Sequence, residues 1–249
     1  MKTFTKRTLQ RLLGFENYLY IFSIFTYNRL RLGLIEKEFL HFIDLIGKKE
    51  GYILDVGANI GVMSTLLAKR FPQSVILSFE PIPENIHVFK RITQHYQLKN
   101  VKLFEGALSD KPGETRMIMP VVDNVRMQGL SKVMVHESAE DGMIYTVPTW
   151  KLDEIPDLNK PSAKVLAIKM DVENYEYFVL QGGASTIAKH LPLIYCELWD
   201  NENRTRTFEM LRRLGYTVRI FENNKFEEYK GQPSTNFIFT PPAVATQPG

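Results

Sequence analysis

The chain has 249 residues, of which 44% are hydrophobic and 24% are charged, and these values are those of an ordinary globular protein with one buried sheet. The formal net charge of +3 is too small to indicate nucleic acid as a partner, and we predict none. The single cysteine, Cys196, excludes an internal disulfide and a multi-cysteine metal site, and it favours a reducing compartment, by default the cytoplasm.

Residues 1–31 combine basic and aromatic side chains. They include six Lys and Arg residues and a single acid, Glu16, and the apolar run 18–25 lies between the basic residues. This run is much shorter than a membrane-spanning helix, and no small-residue cleavage site follows it. One hypothesis is peripheral contact of residues 1–31 with an anionic membrane or a partner. The other, which we favour, is a helix packed on the flank of the domain itself.

Strand and helix patterns alternate along the rest of the chain. Apolar runs predict strands at 52–55, 74–80, 101–108, 164–171, 193–198, 217–221 and 236–240. Apolar residues at helical spacing predict helices at 35–46, after 61, from 84, at 180–191 and at 205–214. This alternation predicts an α/β fold with a doubly wound, mostly parallel sheet. No helix pattern separates the last two strands, so the final strand is predicted to be antiparallel.

Residues 121–142 break the alternation. They lie between short predicted strands at 115–119 and 143–147, and long irregular segments in compact domains are often lids or binding loops. We therefore predict an excursion from the scaffold that covers the substrate. We divide the chain into an N-terminal helical extension, 1–48, one α/β domain, 49–242, and a disordered, proline-containing tail, 243–249.

Acidic residues end four of the predicted strands. They are Asp55, Glu80, Asp171 and Glu197. The carboxyl ends of parallel strands line one crevice in a doubly wound sheet, so these side chains become neighbours in space. Any one of them could be a helix N-cap, but four at equivalent places favour a binding site.

The turn after the first strand has the spacing Asp55-x-Gly57-x-Asn59-x-Gly61. Its glycines allow positive φ and close approach of a ligand, and the following helix presents free N–H groups. Glu80 lies 19 residues beyond Gly61, where an acid can accept hydrogen bonds from both ribose hydroxyls of an adenosine cofactor. Asn59 stands where a dinucleotide fold needs glycine, so this spacing fits a pyrophosphate poorly.

Four segments together resemble the FkbM family of class I S-adenosylmethionine-dependent methyltransferases. They are Leu54-Asp55-Val56-Gly57-Ala58-Asn59-Ile60-Gly61, Phe79-Glu80-Pro81, Ile168-Lys169-Met170-Asp171-Val172-Glu173-x-x-Glu176 and Ser234-Thr235-Asn236-Phe237-Ile238-Phe239. The resemblance covers about residues 52–240. It implies a Rossmann-like sheet, S-adenosylmethionine as methyl donor, and transfer to a hydroxyl oxygen of a sugar or other natural product. Asn174 replaces the family's usual glycine, and Asn tolerates the left-handed backbone such a position requires.

The resemblance also implies roles for individual residues. Gly57 and Gly61 would admit the methionine moiety, Asp55 would organise its ammonium, and Glu80 would hold the ribose. Gly106 and Ala107 would flank the adenine, with Asp110 accepting from its amino group. The full predicted cofactor set is Asp55, Gly57, Asn59, Gly61, Glu80, Pro81, Gly106, Ala107 and Asp110.

A hydroxyl acceptor needs a base or a metal ion to remove its proton. We assign this role first to Asp171, followed by Glu173 and Glu176 on the next loop and Glu197 on the adjacent strand. Two of these carboxylates could instead hold Mg²⁺, and the sequence leaves base and metal open. Glu173 and Glu176 could also be acids that only stabilise a helix N-terminus.

The predicted function is an S-adenosylmethionine-dependent O-methyltransferase acting on a small-molecule or glycan acceptor. An NAD(P)-dependent oxidoreductase on the same fold is the first alternative, and the missing glycine at Asn59 argues against it. A non-catalytic docking module is the second. The intact acids at the four strand ends argue against a degenerate site.

Overall fold

The computed structural model describes residues 3–47, 50–134 and 141–242. Its helices are α1 (Thr3–Leu13), α2 (Phe15–Arg31), α3 (Lys37–Ile46), α4 (Val62–Arg70), α5 (Pro83–His95), α6 (Glu176–Gly182), α7 (Ala184–His190) and α8 (Glu202–Arg213), with short 3-10 helices at Gln128–Leu130 and Leu152–Glu154. Its strands are β1 (Tyr52–Val56), β2 (Val75–Phe79), β3 (Val101–Phe104), β4 (Ala107–Leu108), β5 (Gly113–Val122), β6 (Val125–Arg126), β7 (Lys132–Val133), β8 (Gly142–Trp150), β9 (Val165–Met170), β10 (Leu193–Glu197), β11 (Thr217–Glu222), β12 (Lys225–Glu228) and β13 (Asn236–Thr240).

The main sheet has the strand order β12-β11-β13-β10-β9-β1-β2-β3. Strands β1, β2, β3, β9 and β10 pair in parallel, whereas β13 pairs antiparallel with both β10 and β11. The prediction of a mostly parallel sheet with a final antiparallel strand is therefore confirmed. The chain runs outward from β1 to β3 and returns to β9 on the other side of β1, so the topological switch point lies between β1 and β9.

Both faces of this sheet are covered, as a doubly wound fold requires. Successive residues of β1 point to opposite sides: Ile53 packs in a cluster with Phe42 and Leu67, and Leu54 packs in a cluster with Val179 and Leu211. The predicted strands are apolar at consecutive positions because each residue is buried on one face or the other.

The N-terminal helices form an extension on one flank. Helix α2 packs on α4 and α5 through the buried side chains Tyr18, Leu19, Tyr27 and Leu30. Within the described ranges, no helix is both long enough and apolar enough to cross a membrane. The predicted domain boundary at 48/49 and the predicted disordered tail, 243–249, lie outside the described residues.

The short strands predicted at 115–119 and 143–147 lie within β5 and β8, whereas the prediction of an irregular excursion at 121–142 needs correction. Strands β5 and β8 form a long antiparallel hairpin, and a second sheet has the order β4-β8-β5-β6, with β7 also on β5. Alternation is hidden in β5 because Met117, Ile118 and Met119 are all buried, and Met117 and Met119 pack in a cluster with Ile82, which is distant in sequence. Residues 121–134 contribute β6 and β7 to this sheet, with the 3-10 helix between them, and residues 135–140 of the predicted excursion lie outside the described residues.

Three further element predictions need correction. The strand predicted at 101–108 splits, because β3 ends at Phe104 and β4 pairs with β8 in the second sheet. The helix predicted at 180–191 breaks at Gly183 into α6 and α7. Strand β12 was missed because its sequence is charged, and it follows a turn in which Asn223 and Asn224 both have positive φ.

Candidate active site

A cleft lies at the carboxyl ends of β1, β2 and β9, where the second sheet faces the main one. It encloses about 610 Å³ counted out to its open mouth. Met117 and Val133 of the second sheet line one side, together with Gln128 and Ser131 of the 3-10 turn between β6 and β7. The predicted site residues that line the cleft are Gly57, Asn59, Glu80, Pro81, Gly106, Ala107, Asp171 and Glu173.

Glu80 is buried at the end of β2, with 4% of its surface exposed. Its Oε2 accepts from the Asn59 backbone N–H at 2.7 Å, and its Oε1 accepts from the Ile82 N–H at 2.9 Å and from Asn85 Nδ2 at 3.1 Å. Burial raises the pKa of Glu80 to about 7, against the lowering effect of these hydrogen bonds. A carboxylate offers about four acceptor positions, so about one remains for a ligand rather than the pair the sequence suggested.

Two amide oxygens in the cleft lining are buried without a hydrogen-bond partner in the described part of the chain. They are Oδ1 of Asn59 and Oδ1 of Asn85. The orientation of the Asn85 amide follows from its Nδ2, which must face the Glu80 carboxylate as a donor. A buried acceptor without a donor is costly, so both oxygens indicate a ligand that carries N–H or O–H groups.

Sequence reasoning missed Asn85. It lies in the first turn of α5, on the same face as Phe89 and Ile92, and it is 1% exposed. A polar residue inside the apolar stripe of an amphipathic helix was the available signal.

The two glycines of the β1–α4 turn both have positive φ, 76° at Gly57 and 81° at Gly61, as the sequence predicted. Their close neighbours are protein atoms. A Cβ on Gly57 would lie 1.9 Å from the Asp171 carbonyl oxygen, and one on Gly61 would lie 2.9 Å from the Phe89 ring. Gly57 therefore lets the turns after β1 and β9 meet, while Gly61 lies off the cleft and packs against α5.

Asp55 does not line the cleft, because its side chain lies inside the protein. Its Oδ2 accepts from Ser64 Oγ at 2.5 Å, and its Oδ1 lies 3.2 Å from Lys169 Nζ. Lys169 is 3% exposed and also donates to the Gly57 carbonyl oxygen at 2.9 Å. Burial acts to lower the pKa of Lys169, but the carboxylates of Asp55 and Asp171 reverse this and raise it. The Lys169 ammonium therefore stays charged, and it holds the β1–α4 turn through its hydrogen bond to the Gly57 carbonyl oxygen.

The sequence quoted Lys169 within a motif without giving it a role. The available signal was a charged residue inside a strand that is otherwise apolar, since β9 is buried along its whole length. Such a residue needs a buried partner of opposite charge, and Asp55 stands opposite it in the register of β1 and β9.

The loop after β9 brings Asp171 and Glu173 into the cleft. Glu173 and Asn174 have φ of 51° and 73°, so the left-handed backbone predicted at Asn174 is confirmed and extends to its neighbour. Burial raises the pKa of Glu173 to about 7, and the carboxylates of Asp171, Glu197 and Glu176 add to the effect. A carboxyl group that titrates near neutral pH can exchange a proton with a ligand.

Three predicted residues lie off the cleft lining besides Asp55 and Gly61. Glu176 folds back on its own loop, where Oε1 accepts from the N–H groups of Val172 at 3.1 Å and Asn174 at 3.2 Å. Asp110 accepts from Ser109 Oγ beyond the point where the chain leaves the main sheet. Glu197 is half-buried at the end of β10, and burial and the Asp171 carboxylate raise its pKa.

The predicted alternative of a Mg²⁺ ion has no support in the arrangement of ligands. In residues 3–47, 50–134 and 141–242, no three His, Cys, Asp or Glu side chains come together in a way that could hold a metal ion. At the loop after β9, the Glu176 carboxylate is not free to bind a metal ion because it accepts a hydrogen bond from the backbone.

The part of the chain that forms this cleft also matches known proteins. The family model described as the methyltransferase FkbM domain matches residues 55–239. Methyltransferase 1 of Beauveria bassiana (strain ARSEF 2860) is 26% identical over 216 residues, which cover 75% of this chain and 83% of that protein. Methyltransferase sdnD of Sordaria araneosa is 32% identical over 95 residues, which cover 36% of this chain and 37% of that protein.

The fold also matches a solved structure. The crystal structure of the methyltransferase FkbM from Methylobacillus flagellatus KT superposes with a TM-score of 0.53 at 14% identity. The match covers 94% of this chain and 57% of that one, so this chain spans little more than half the length of the solved protein. At this identity the likeness concerns the fold alone.

Proposed function

Because this chain belongs to the FkbM methyltransferase family, we propose that it transfers a methyl group from S-adenosylmethionine to a hydroxyl oxygen of a sugar or other natural product. One observation carries the proposal. Glu173, whose pKa is raised to about 7, lines the same cleft as Asp171 and as Glu80. The two alternative functions, an oxidoreductase and a docking module, have no support among these methyltransferase relatives.

The cofactor half of the cleft offers acceptors to a ligand rich in donors. Its buried acceptors are the remaining position on Glu80 and the unpartnered oxygens of Asn59 and Asn85. S-adenosylmethionine carries matching donors in its ribose hydroxyls, adenine amino group and ammonium, and when bound it supplies a methyl group already activated on sulfur. Gly106 and Ala107 would flank the adenine. Asp55 would act indirectly, because its carboxylate pairs with Lys169 and Lys169 holds the β1–α4 turn.

The acceptor half contains the carboxyl groups that move a proton. As the acceptor oxygen bonds to the methyl carbon, its proton would pass to the Glu173 carboxylate. The Asp171 carboxylate raises the proton affinity of Glu173 and would itself accept a hydrogen bond from the acceptor. This arrangement shares between two residues the role the sequence assigned first to Asp171.

The charge of this region favours a hydroxyl over an amine. The carboxylates of Asp171, Glu173 and Glu197 interact with one another here. Such a cluster holds an amine in its protonated form, which has no lone pair to attack the methyl group. It also repels the phosphates of nucleic acid. A neutral, hydroxyl-rich acceptor suffers neither effect, and its hydroxyls can donate to the carboxylates.

The test is methyl transfer from labelled S-adenosylmethionine to matched acceptors. Monosaccharides and polyols would be compared with their amino-sugar counterparts and with a short RNA, and the products identified by mass spectrometry and nuclear magnetic resonance. We expect methyl ethers from the hydroxyl acceptors and no transfer to RNA. Methylation of the amine in preference to every hydroxyl would contradict the proposal.

A further inference from the structure

The N-terminal extension leaves an apolar surface uncovered. Half of the large apolar side chains exposed in the described part of the chain lie between Leu12 and Leu34, and they are Leu12, Leu13, Ile21, Phe25, Leu32 and Leu34. Leu12 is 75% exposed, Phe25 is 56% and Leu32 is 65%. The first 34 residues thus carry far more exposed apolar surface than their share of the chain predicts.

The exposed residues of α2 form a stripe opposite its buried face. Ile21 and Phe25 are four residues apart and so lie on the same side of the helix, whereas Leu19 and Leu30 point into the domain. The helix therefore has two different faces. It packs on the domain through one face, and the other face remains available.

Exposed basic side chains lie on the same two helices, α1 and α2. Arg7, Arg11, Arg29 and Arg31 are all exposed, and the Arg29 guanidinium lies 5.6 Å above the Phe25 ring. Residues 1–35 contain one acid, Glu16, and its carboxylate faces His87 of α5 at 3.1 Å. In the rest of the chain acids outnumber Lys and Arg, so the positive charge is concentrated at this surface.

Together, the apolar and basic side chains favour an anionic membrane as the partner of this surface. Apolar tips beside arginines fit the boundary between acyl chains and anionic headgroups, where long basic side chains reach the phosphates. A second copy of the chain fits less well, because a two-fold contact would bring arginines against arginines. Anionic lipids are concentrated in the cytoplasmic leaflet, which agrees with the compartment we propose from the single cysteine, Cys196.

We propose that the N-terminal basic-apolar surface, formed by Leu12, Ile21, Phe25, Leu32 and Leu34 with Arg7, Arg11, Arg29 and Arg31, docks the protein on an anionic membrane. Helices α1 and α2 would lie in the plane of the interface. Gln10 of α1 exchanges two hydrogen bonds of 3.3 Å with the backbone of Arg126, two residues before the 3-10 helix that lines the cleft. The docked surface is therefore joined to one wall of the active site. The proposal does not depend on which acceptor is methylated.

Deleting residues 1–31 is not a clean test, because it would also remove the buried side chains of Tyr18, Leu19, Tyr27 and Leu30. Point variants of exposed residues avoid this. One test variant combines Ile21→Ser with Phe25→Ser, and the other combines Arg7→Gln with Arg11→Gln. The matched controls are Ile144→Ser on β8, where Ile144 is 57% exposed, and Arg213→Gln on α8, where the Arg213 side chain is 82% exposed.

The 249-residue chain and each variant would be sedimented with vesicles of phosphatidylcholine alone or mixed with phosphatidylserine. We expect binding to the anionic vesicles, weakened by salt, and a loss of roughly tenfold or more in the arginine variant. The Ile21/Phe25 variant should lose binding as well, while both controls bind as the parent does. Thermal unfolding midpoints identify any variant that has lost its fold.

Three results would overturn the proposal. The first is no binding to anionic vesicles by the folded chain. The second is equal binding to neutral and anionic vesicles. The third is a dimer in sedimentation velocity that dissociates in the Ile21/Phe25 variant, because the surface would then belong to a second copy of the chain.

Discussion

The cleft contains a carboxyl group, Glu173, whose pKa is raised to about 7. Burial is the main cause, and the neighbouring carboxylate of Asp171 adds to it. A general base must be deprotonated to act, so its activity rises as the pH rises through its pKa. The pH dependence of the proposed reaction therefore depends on the protonation of this one residue.

We therefore expect the rate of methyl transfer at saturating S-adenosylmethionine to rise with pH up to about 7 and then to level off. Glu173→Gln should lower the rate by about 10²–10⁴-fold and remove this dependence, because the amide cannot take the proton. The measurement is the steady-state rate of methyl transfer at a series of pH values. Glu105→Gln, a change at an exposed acid paired with Lys90, is the control and should leave the profile intact. A normal profile in Glu173→Gln would move the base to Asp171.

At the scale of elements, the loop between β9 and α6 depends on Glu176. Burial raises the pKa of Glu176 from 4.5 to about 7, despite its two backbone hydrogen bonds. A carboxyl group whose pKa is higher in the folded state contributes stability below its unfolded pKa, and that stability is lost as the pH rises through the folded pKa. The folded chain should thus lose stability between about pH 4.5 and about pH 7.

Glu176→Gln tests this linkage, because its Oε1 can still accept from Val172 and Asn174 while the side chain no longer titrates. We expect a smaller fall in the free energy of unfolding from about pH 5 to about pH 8 than in the parent chain, measured by urea denaturation. The exposed Glu114→Gln should keep the parental fall. An unchanged pH dependence in Glu176→Gln would show that the carboxyl group is not the source.

Strands β1 and β9 are linked at the site by the buried pair of Asp55 and Lys169, 3.2 Å apart. Removing one partner leaves an uncompensated charge in the interior. We expect Lys169→Met to lower the free energy of unfolding by about 3–5 kcal/mol, and the double variant with Asp55→Asn to regain much of this. The exposed pair of Arg213 and Glu209 provides the control, and Arg213→Gln should cost at most about 1 kcal/mol. A loss in Lys169→Met no larger than in this control would contradict the account.

At the scale of the whole molecule, the sequence predicted the main sheet well because its strands are apolar at consecutive positions and end in acids. Buried parallel strands have this pattern whatever surrounds them. The second sheet was missed because Met117, Ile118 and Met119 are all buried, and Met117 and Met119 pack in a cluster with the distant Ile82, a tertiary contact that no local period encodes. The sequence therefore predicted only the short strands 115–119 and 143–147 within β5 and β8, and left 121–142 as an irregular excursion.

The site was predicted in part for the same reason. Glu80, Asp171 and Glu173 were found because strand ends converge at the switch point of any doubly wound sheet. The register of β1 and β9, which pairs Asp55 with Lys169 inside the protein, is not visible in either strand alone. Asn85 was missed because its role depends on the direction in which α5 packs over Glu80.

We propose that this cleft binds the adenosine and methionine portions of S-adenosylmethionine through buried acceptors. Calorimetric titration with S-adenosylhomocysteine, which carries the same donors, tests this binding. We predict saturable binding at one site, lost in Glu80→Ala and kept in Glu105→Ala, which changes an exposed acid at the end of β3. Absence of binding by the folded chain, or undiminished binding by folded Glu80→Ala, would contradict the account.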